Sequence, residues 1–293
     1  MTTHTTGTPA APAAGPASTP SSPPKPPTHD AVIEALLTQS RREGVPIRTA
    51  FVQKPPGPAV RSGPLHHFVK RGDDRGLEAY LFIHALASSA PWTCTYPSET
   101  WVRVLNLEQT CSAESAKAAV SKTLRRLEER GLLVRRRDRR STEVTLLHED
   151  GNGDPYTRPR SVDDGTWFTL PYGYWRLGHY RSLSLPAKAM LLIALSLTED
   201  FTLPLERMPK WYGISSDSAG RGLRELRERD LLTTRDTYEL DAKSRTGWRL
   251  VQWHALREPY DGASRSALNA GAARQRRPSD AHPFPDNVPS EAS

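Results

Sequence analysis

Arg135, Arg136, Arg137, Arg139 and Arg140 place five guanidinium groups within six positions, with only Asp138 to balance them. Crowded like charge costs self-repulsion in an isolated chain, and a polyanion removes that cost. Arginine also suits insertion into a narrow minor groove. Just upstream, Ser115, Lys117, Ser121, Lys122 and Arg125 share one side of a stretch whose other side carries Ala116, Val120, Leu124 and Leu127. Short polar residues early in a helix let its backbone approach base edges, and cations further along hold phosphates. That order assigns base or near-base contacts to Ser115, Ser121 and Lys122, and phosphate contacts to Lys117 and Arg125. The plainer alternative is a solvated helix face with Arg and Glu at supportive spacing.

The charge is local. From residue 117 to 140 there are ten Lys and Arg against Glu128, Glu129 and Asp138, a net of +7 that equals the formal surplus of all 293 residues. The rest of the chain is therefore balanced, so the basicity belongs to one element pair.

The elements that position these residues occur twice. The segment KTLRRLEERGLLV from Lys122 recurs as RGLRELRERDLLT from Arg221, an offset of 99 residues without a gap. Leu124, Leu127, Leu132 and Leu133 match Leu223, Leu226, Leu231 and Leu232. Upstream, the apolar stretch from Tyr80 matches the one from Met190, and a proline-initiated segment follows each, at Pro97 and Pro204. A fixed internal period signals duplicated architecture. The first copy is expected to run as helices over 77–88 and 97–105, a turn, a third helix capped by Ser112 and ended by Gly131, then strands over 132–137 and 142–147. The second is expected over 186–198, 204–211, 215–229, 231–234 and 248–253, with a longer, mixed-charge tip over 235–247. Ser216, Ser218, Arg221 and Arg224 are its candidate contacts, although its third helix is close to neutral.

VSKTLRRLEERGLLVRR, from Val120, resembles the recognition helix and first wing strand of winged helix-turn-helix regulators of the MarR and GntR types. That resemblance implies a third helix in the major groove and a hairpin wing on the backbone or minor groove. Two such units in one chain are similar in arrangement to plasmid and phage replication initiators. The expected fold class is mainly α with small β-wings (α+β): two tandem winged helix-turn-helix domains with disordered tails. The expected boundaries are a tail over 1–28, a helix and extended connector over 29–64, the first domain over 65–149, a linker over 150–164, the second domain over 165–257 and a tail over 258–293. The pieces at Leu65 and Trp167 are expected to add a strand or strap. An amphipathic helix over 30–42 is expected to pack on the core or pair with another subunit.

The function expected is sequence-specific binding of double-stranded DNA with a regulatory outcome in transcription, the first unit being the main reader. The alternatives are a replication or partition protein of a mobile element and, in another class, a protein-interaction adaptor. A homodimer or a protein partner through the second unit or the 30–42 helix stays open. No enzymatic pattern, cofactor or metal site is expected: no phosphate-binding glycine loop and no paired-histidine motif occurs. DGNGD from Asp150 imitates a calcium loop, yet Pro155 replaces its glycine and Ser161 its bidentate glutamate. Cys94 and Cys111, with sixteen residues between them, match no compact zinc spacing. His66, His67 and His84 read as core or surface histidines, and Trp167, Trp175, Trp248 and Trp253 as core anchors. No membrane span or secretory signal is seen, so a cytoplasmic location is expected.

Overall fold

The computed structural model describes residues 27–40, 42–57, 61–109, 112–159 and 164–275, a mixed α+β chain. Residues 1–26 of the tail expected over 1–28, together with Cys111 and Ser161, lie outside the described residues. Three elements come first: α1 (His29–Gln39), β1 (Gly44–Arg48) and α2 (Leu65–Arg71). A six-element run follows, α3 (Asp74–Leu86), β2 (Thr93–Pro97), α4 (Ser98–Val104), α5 (Ala113–Glu129), β3 (Leu133–Asp138) and β4 (Ser141–Leu146). After β5 (Trp167–Pro171), α6 (Gly173–Arg176) and α7 (His179–Ser182), the same order returns. It comprises α8 (Leu185–Leu195), β6 (Asp200–Thr202), α9 (Met208–Tyr212), α10 (Ser216–Glu228), β7 (Leu232–Leu240) and β8 (Trp248–Leu256). α11 (Gly262–Gln275) ends the described chain. Both runs close an antiparallel three-stranded sheet with the last strand in the middle, β2-β4-β3 and β6-β8-β7. The 99-residue sequence repeat is thus a repeat of topology.

Local chemistry starts the helices. Thr28, Asp73, Ser112, Ser184 and Ser215 each accept the amide hydrogen three residues on, which satisfies one of the free donors of a first turn. α5 stops before Gly131, whose φ of 66° favours glycine and where a Cβ would meet the Gly151 carbonyl oxygen at 2.6 Å. α8 is buried from Ala187 through Leu195, as an almost wholly apolar helix must be. Lys188 is its exception: Nζ reaches Asp74 Oδ1 at 2.7 Å and Glu78 Oε1 at 3.0 Å on α3, joining the two runs. Tyr174 donates its hydroxyl to the same Glu78 carboxylate. Burial pushes Glu78 up to about 7 against the pull of Lys188.

α5 is held to α3 by one carboxylate. Asp73, 8% exposed in its side chain, caps α3 and receives Arg126 Nη2 at 2.7 Å and Arg130 Nη2 at 2.6 Å. Arg130 also stacks over the Phe68 ring, 4.3 Å from its centroid. Burial alone would raise the Asp73 carboxyl, but the hydrogen bonds and charges of the two arginines prevail and hold it below its usual range.

Several segments expected to be peripheral are built into the core. α1 buries Ile33, Leu36 and Leu37, and its Asp30 and Glu34 pair with Arg181 and Arg176 of the segment before α8. β1, expected as connector, pairs antiparallel with β5 from Gly44 opposite Pro171 to Arg48 opposite Trp167. The piece at Trp167 is therefore a strand, whereas that at Leu65 is the helix α2, with Leu65 and Phe68 buried one turn apart. The expected linker over 150–164 follows a buried ion pair, Arg48 Nη1 to Glu149 Oε2 at 2.7 Å, and contains buried Tyr156. The second tail was expected from 258, yet Tyr260 is fully buried and residues 262–275 are helical. One contiguous cluster of buried side chains runs from Ile33 to Tyr260, so the two runs share a core. β2 and β6 were not anticipated: Pro97 suits a helix start and an extended edge equally, and here it ends β2 in an extended conformation (φ −58°, ψ 152°). Among the described residues no helix is long and apolar enough to cross a membrane.

Asp73→Ala, which leaves two arginines facing a buried gap, is expected to cost about 3 to 5 kcal/mol in urea unfolding, with Asp73→Asn less damaging. Because the folded carboxyl titrates below the unfolded one, its contribution is present above the unfolded value of about 3.9 and is lost as pH falls through the folded value. Wild type is therefore expected to lose more stability below about pH 4 than Asp73→Asn does, as acid titration of the urea midpoint would report.

Candidate nucleic-acid interface

The amphipathic pattern of α5 sets the candidate surface. Ala116, Val120, Thr123, Leu124 and Leu127 are buried, and Thr123 turns its hydroxyl back to the Ala119 carbonyl at 2.8 Å. Ser115, Lys117, Ser121, Lys122 and Arg125 are all exposed on the opposite side. Strand alternation then sorts the hairpin arginines. Leu133, Arg135 and Arg137 face Leu146, Val144 and Thr142 across the ladder, on the side that is apolar and buried at its base. Arg136 lies on the other side, opposite Glu143.

The α5 face and the inner hairpin face meet in a cleft of about 250 Å³ lined by Lys117, Ser121, Arg135, Arg137 and Arg140, with Ser98, Ser141 and Thr142 adding hydroxyls. Five of the ten residues expected on this helix and wing therefore converge on one concavity. Lys122, Arg125, Arg136 and Arg139 do not line it but stay exposed. Ser115 lies in the first turn of α5, where its amide and hydroxyl bond the Ser112 cap. The three cleft hydroxyls were not anticipated; only their nearness to the hairpin turn and to the start of α4 pointed to them.

The arginines are not equivalent. Arg135 is a brace rather than a free cation: Glu128 accepts its backbone amide at 2.9 Å and its guanidinium at 2.8 to 2.9 Å, and Arg135 Nη1 also reaches the Ser121 carbonyl at 3.3 Å. Burial works to raise the Glu128 carboxyl, but these bonds to Arg135 hold it below the usual range. Lys117 bridges to Glu99 on α4 at 2.6 Å, and Arg125 contacts Glu129 one turn on at 3.5 Å. Arg136 stands 3.9 Å from Glu143. Lys122, Arg137, Arg139 and Arg140 make no ion pair among the described residues, and all four are exposed. Of the ten cations between 117 and 140, Arg126 and Arg130 are turned inward to Asp73 and Arg135 to Glu128, so the outward charge gathers at the hairpin end.

That end is strained. Arg139 and Arg140 form the two-residue connection of β3 and β4, and Arg139 has φ of 50°, a region that glycine or asparagine occupies more cheaply. Holding a long cation there costs about 1 kcal/mol.

In the second run the corresponding side chains are more engaged. Ser216 donates to the Leu205 carbonyl at 2.7 Å, and Ser218 receives Arg221 at 3.3 Å. Arg221 also pairs with Asp217 at 3.1 Å, leaving Arg224 exposed without an ion partner among the described residues. The mixed-charge tip expected over 235–247 is instead a prolongation of β7 to Leu240 and a turn. Trp175 is a core anchor as expected, Trp167 and Trp253 are half-buried, and Trp248 is 54% exposed near the hairpin end. Strand alternation carried past the edge of the core accounts for that difference.

Other groups with reactive potential are closed off. Burial pushes the Cys94 thiol up to about 12 and, together with nearby arginines, pushes His84 down to about 3. Among the described residues no group of three His, Cys, Asp or Glu could hold a metal ion. Comparison of the chain with the profiles of known families, with curated proteins and with solved structures finds no match.

Arg139→Gly is expected to leave stability unchanged or raise it by up to about 1 kcal/mol, whereas Arg139→Val lowers it by a similar amount. Denaturant midpoints of the two variants against wild type would report this.

Proposed function

We propose that the two six-element runs are tandem winged helix-turn-helix units and that the first is a reader of double-stranded DNA, making the chain a sequence-specific regulator of transcription. The observation that carries this reading is the cleft between α5 and the β3–β4 hairpin, with Arg137 and Arg140, which make no ion pair among the described residues, and exposed Ser121 on its walls. A helix of this type enters a major groove with its N-terminal half, where Ser115, Lys117, Ser121 and Lys122 lie, and the hairpin then meets the flanking backbone. Arg139 and Arg140 at the turn suit the adjacent minor groove, whose negative potential deepens as it narrows.

The division of labour follows from position. Ser121 and Lys122 are assigned to base edges, and Lys117, Arg125, Arg136, Arg137, Arg139 and Arg140 to phosphates or groove walls. Arg135 is withdrawn from the contact set, because Glu128 holds it as the brace that fixes the hairpin against α5. The second unit keeps the leucine framework without the unpaired arginine tip, which supports an assembly role for it.

With about six phosphates neutralised, log affinity for a genomic fragment is expected to fall against log salt with a slope of about −5 to −6. Replacing Arg137, Arg139 and Arg140 together by alanine is expected to weaken all sequences alike and to reduce that slope by about 3. Ser121→Ala or Lys122→Ala is expected to change preference among sequences instead. Fluorescence anisotropy over a salt series would measure both, and an unchanged slope in the triple variant would refute the assignment.

A further inference from the structure

Four of the seven large apolar side chains that stand exposed on the described chain share one face of one hairpin: Tyr238 (70% exposed), Leu240 (77%), Trp248 (54%) and Leu250 (53%). Tyr238 lies opposite Leu250, and Leu240 opposite Trp248, so the four side chains form a two-by-two block. The same face is core at the base of the hairpin, where Leu232 and Leu256 are opposed and buried. β6 pairs only with Trp253, His254 and Ala255 of β8, so beyond Gln252 the hairpin is a two-stranded ribbon with both edges open. A bare two-stranded ribbon is marginal in water. The 99-residue offset sharpens the contrast, because Tyr238 occupies the place of Arg139: where the first hairpin turns on a free cation, the second continues into an apolar surface.

We infer that a second copy of this chain covers this face, the two hairpins packing face to face about a two-fold axis. The block exposes about 500 Å² of largely apolar side chain, taking aromatic side chains at about 150 to 250 Å² each when whole. Two copies would bury about 1,000 Å² before any rim is counted, which reaches the lower bound of a specific interface. A two-fold contact needs a self-complementary surface, and this one supplies it in charge as well. The block itself carries no charge. On the base side it is bordered by exposed Asp236 and Gln252, and at the turn by exposed Lys243 and Arg245. Antiparallel face packing sets the turn of each hairpin over the base of the other, so Asp236 of one copy meets Lys243 and Arg245 of the second. Of the remaining charges nearby, Glu239 and Arg249 are paired to each other at 3.0 Å on the opposite face, and half-buried Asp241 is turned into the loop, where it accepts the Lys243 amide at 3.0 Å, so the turn keeps a net positive charge.

Sedimentation equilibrium of the full chain at micromolar concentration tests this without DNA. Wild type is expected to sediment as a dimer. Leu240→Ser combined with Trp248→Ser, both exposed and therefore harmless to the core, is expected to raise the dimer dissociation constant by about 30-fold or more with the circular dichroism spectrum unchanged. Asp236→Lys is expected to weaken the dimer, and Lys243→Asp with Arg245→Asp in the same chain to restore it. A monomeric wild type, which would leave the face to a different partner, overturns the inference. So does a dimer that survives the double serine variant.

Discussion

The Asp73 carboxylate fixes the angle on which the rest of the first unit depends. It caps α3, and it holds Arg126 of α5 and Arg130 at the C-cap of α5, so the third helix cannot rotate against the first without stranding a charge. Because those two arginines look inward, the opposite face of α5 is the one left to solvent. Glu128, on the same helix, then ties Arg135 and with it the root of the hairpin. Two carboxylates thus tie a helix and a hairpin together around a single concavity.

The second unit solves the same mechanical problem with different residues. At the 99-residue offset Arg126 corresponds to Glu225 and Arg130 to Arg229, and the capping position of the first helix is Ser184 instead of aspartate. Glu225 accepts the Ser184 amide at 3.0 Å and its hydroxyl, while Arg229 donates to the Ser182 carbonyl. The tertiary joint survives although the charges have changed places, which marks it as a requirement of the architecture. The hairpin ends are under no such requirement, and there the two units diverge: unpaired arginines in one, an uncovered apolar block in the other.

The repeated framework was legible in the sequence because leucine spacing on α5 and α10, and the apolar stretches of α3 and α8, follow from burial periodicity alone. Ser112 as a cap and Gly131 as a stop were legible from local backbone chemistry. What could not be read was long-range. β1 and β5 pair across more than a hundred residues, and nothing in either strand names its partner. Arg48 and Glu149 carry no sequence mark of their buried pairing, and α11 begins in a stretch whose composition resembles a tail. The candidate site was legible as a set of residue types but not as roles. Counting charges made five equal wing arginines, whereas geometry separates the brace Arg135 from the free Arg137, Arg139 and Arg140. The positive φ of Arg139 had no sequence signal at all.

We propose that the α5–hairpin concavity of the first unit is the surface that meets DNA. Hydrogen exchange of the full chain with and without a bound genomic fragment at low salt tests it most directly, since it reports the contact surface whatever the sequence bound. Added protection is expected to be confined to the N-terminal half of α5 and the β3–β4 turn, with β7 and β8 unchanged. A folded protein that binds no fragment at low salt, or protection that falls on α10 and β7–β8 while α5 exchanges as before, would contradict it.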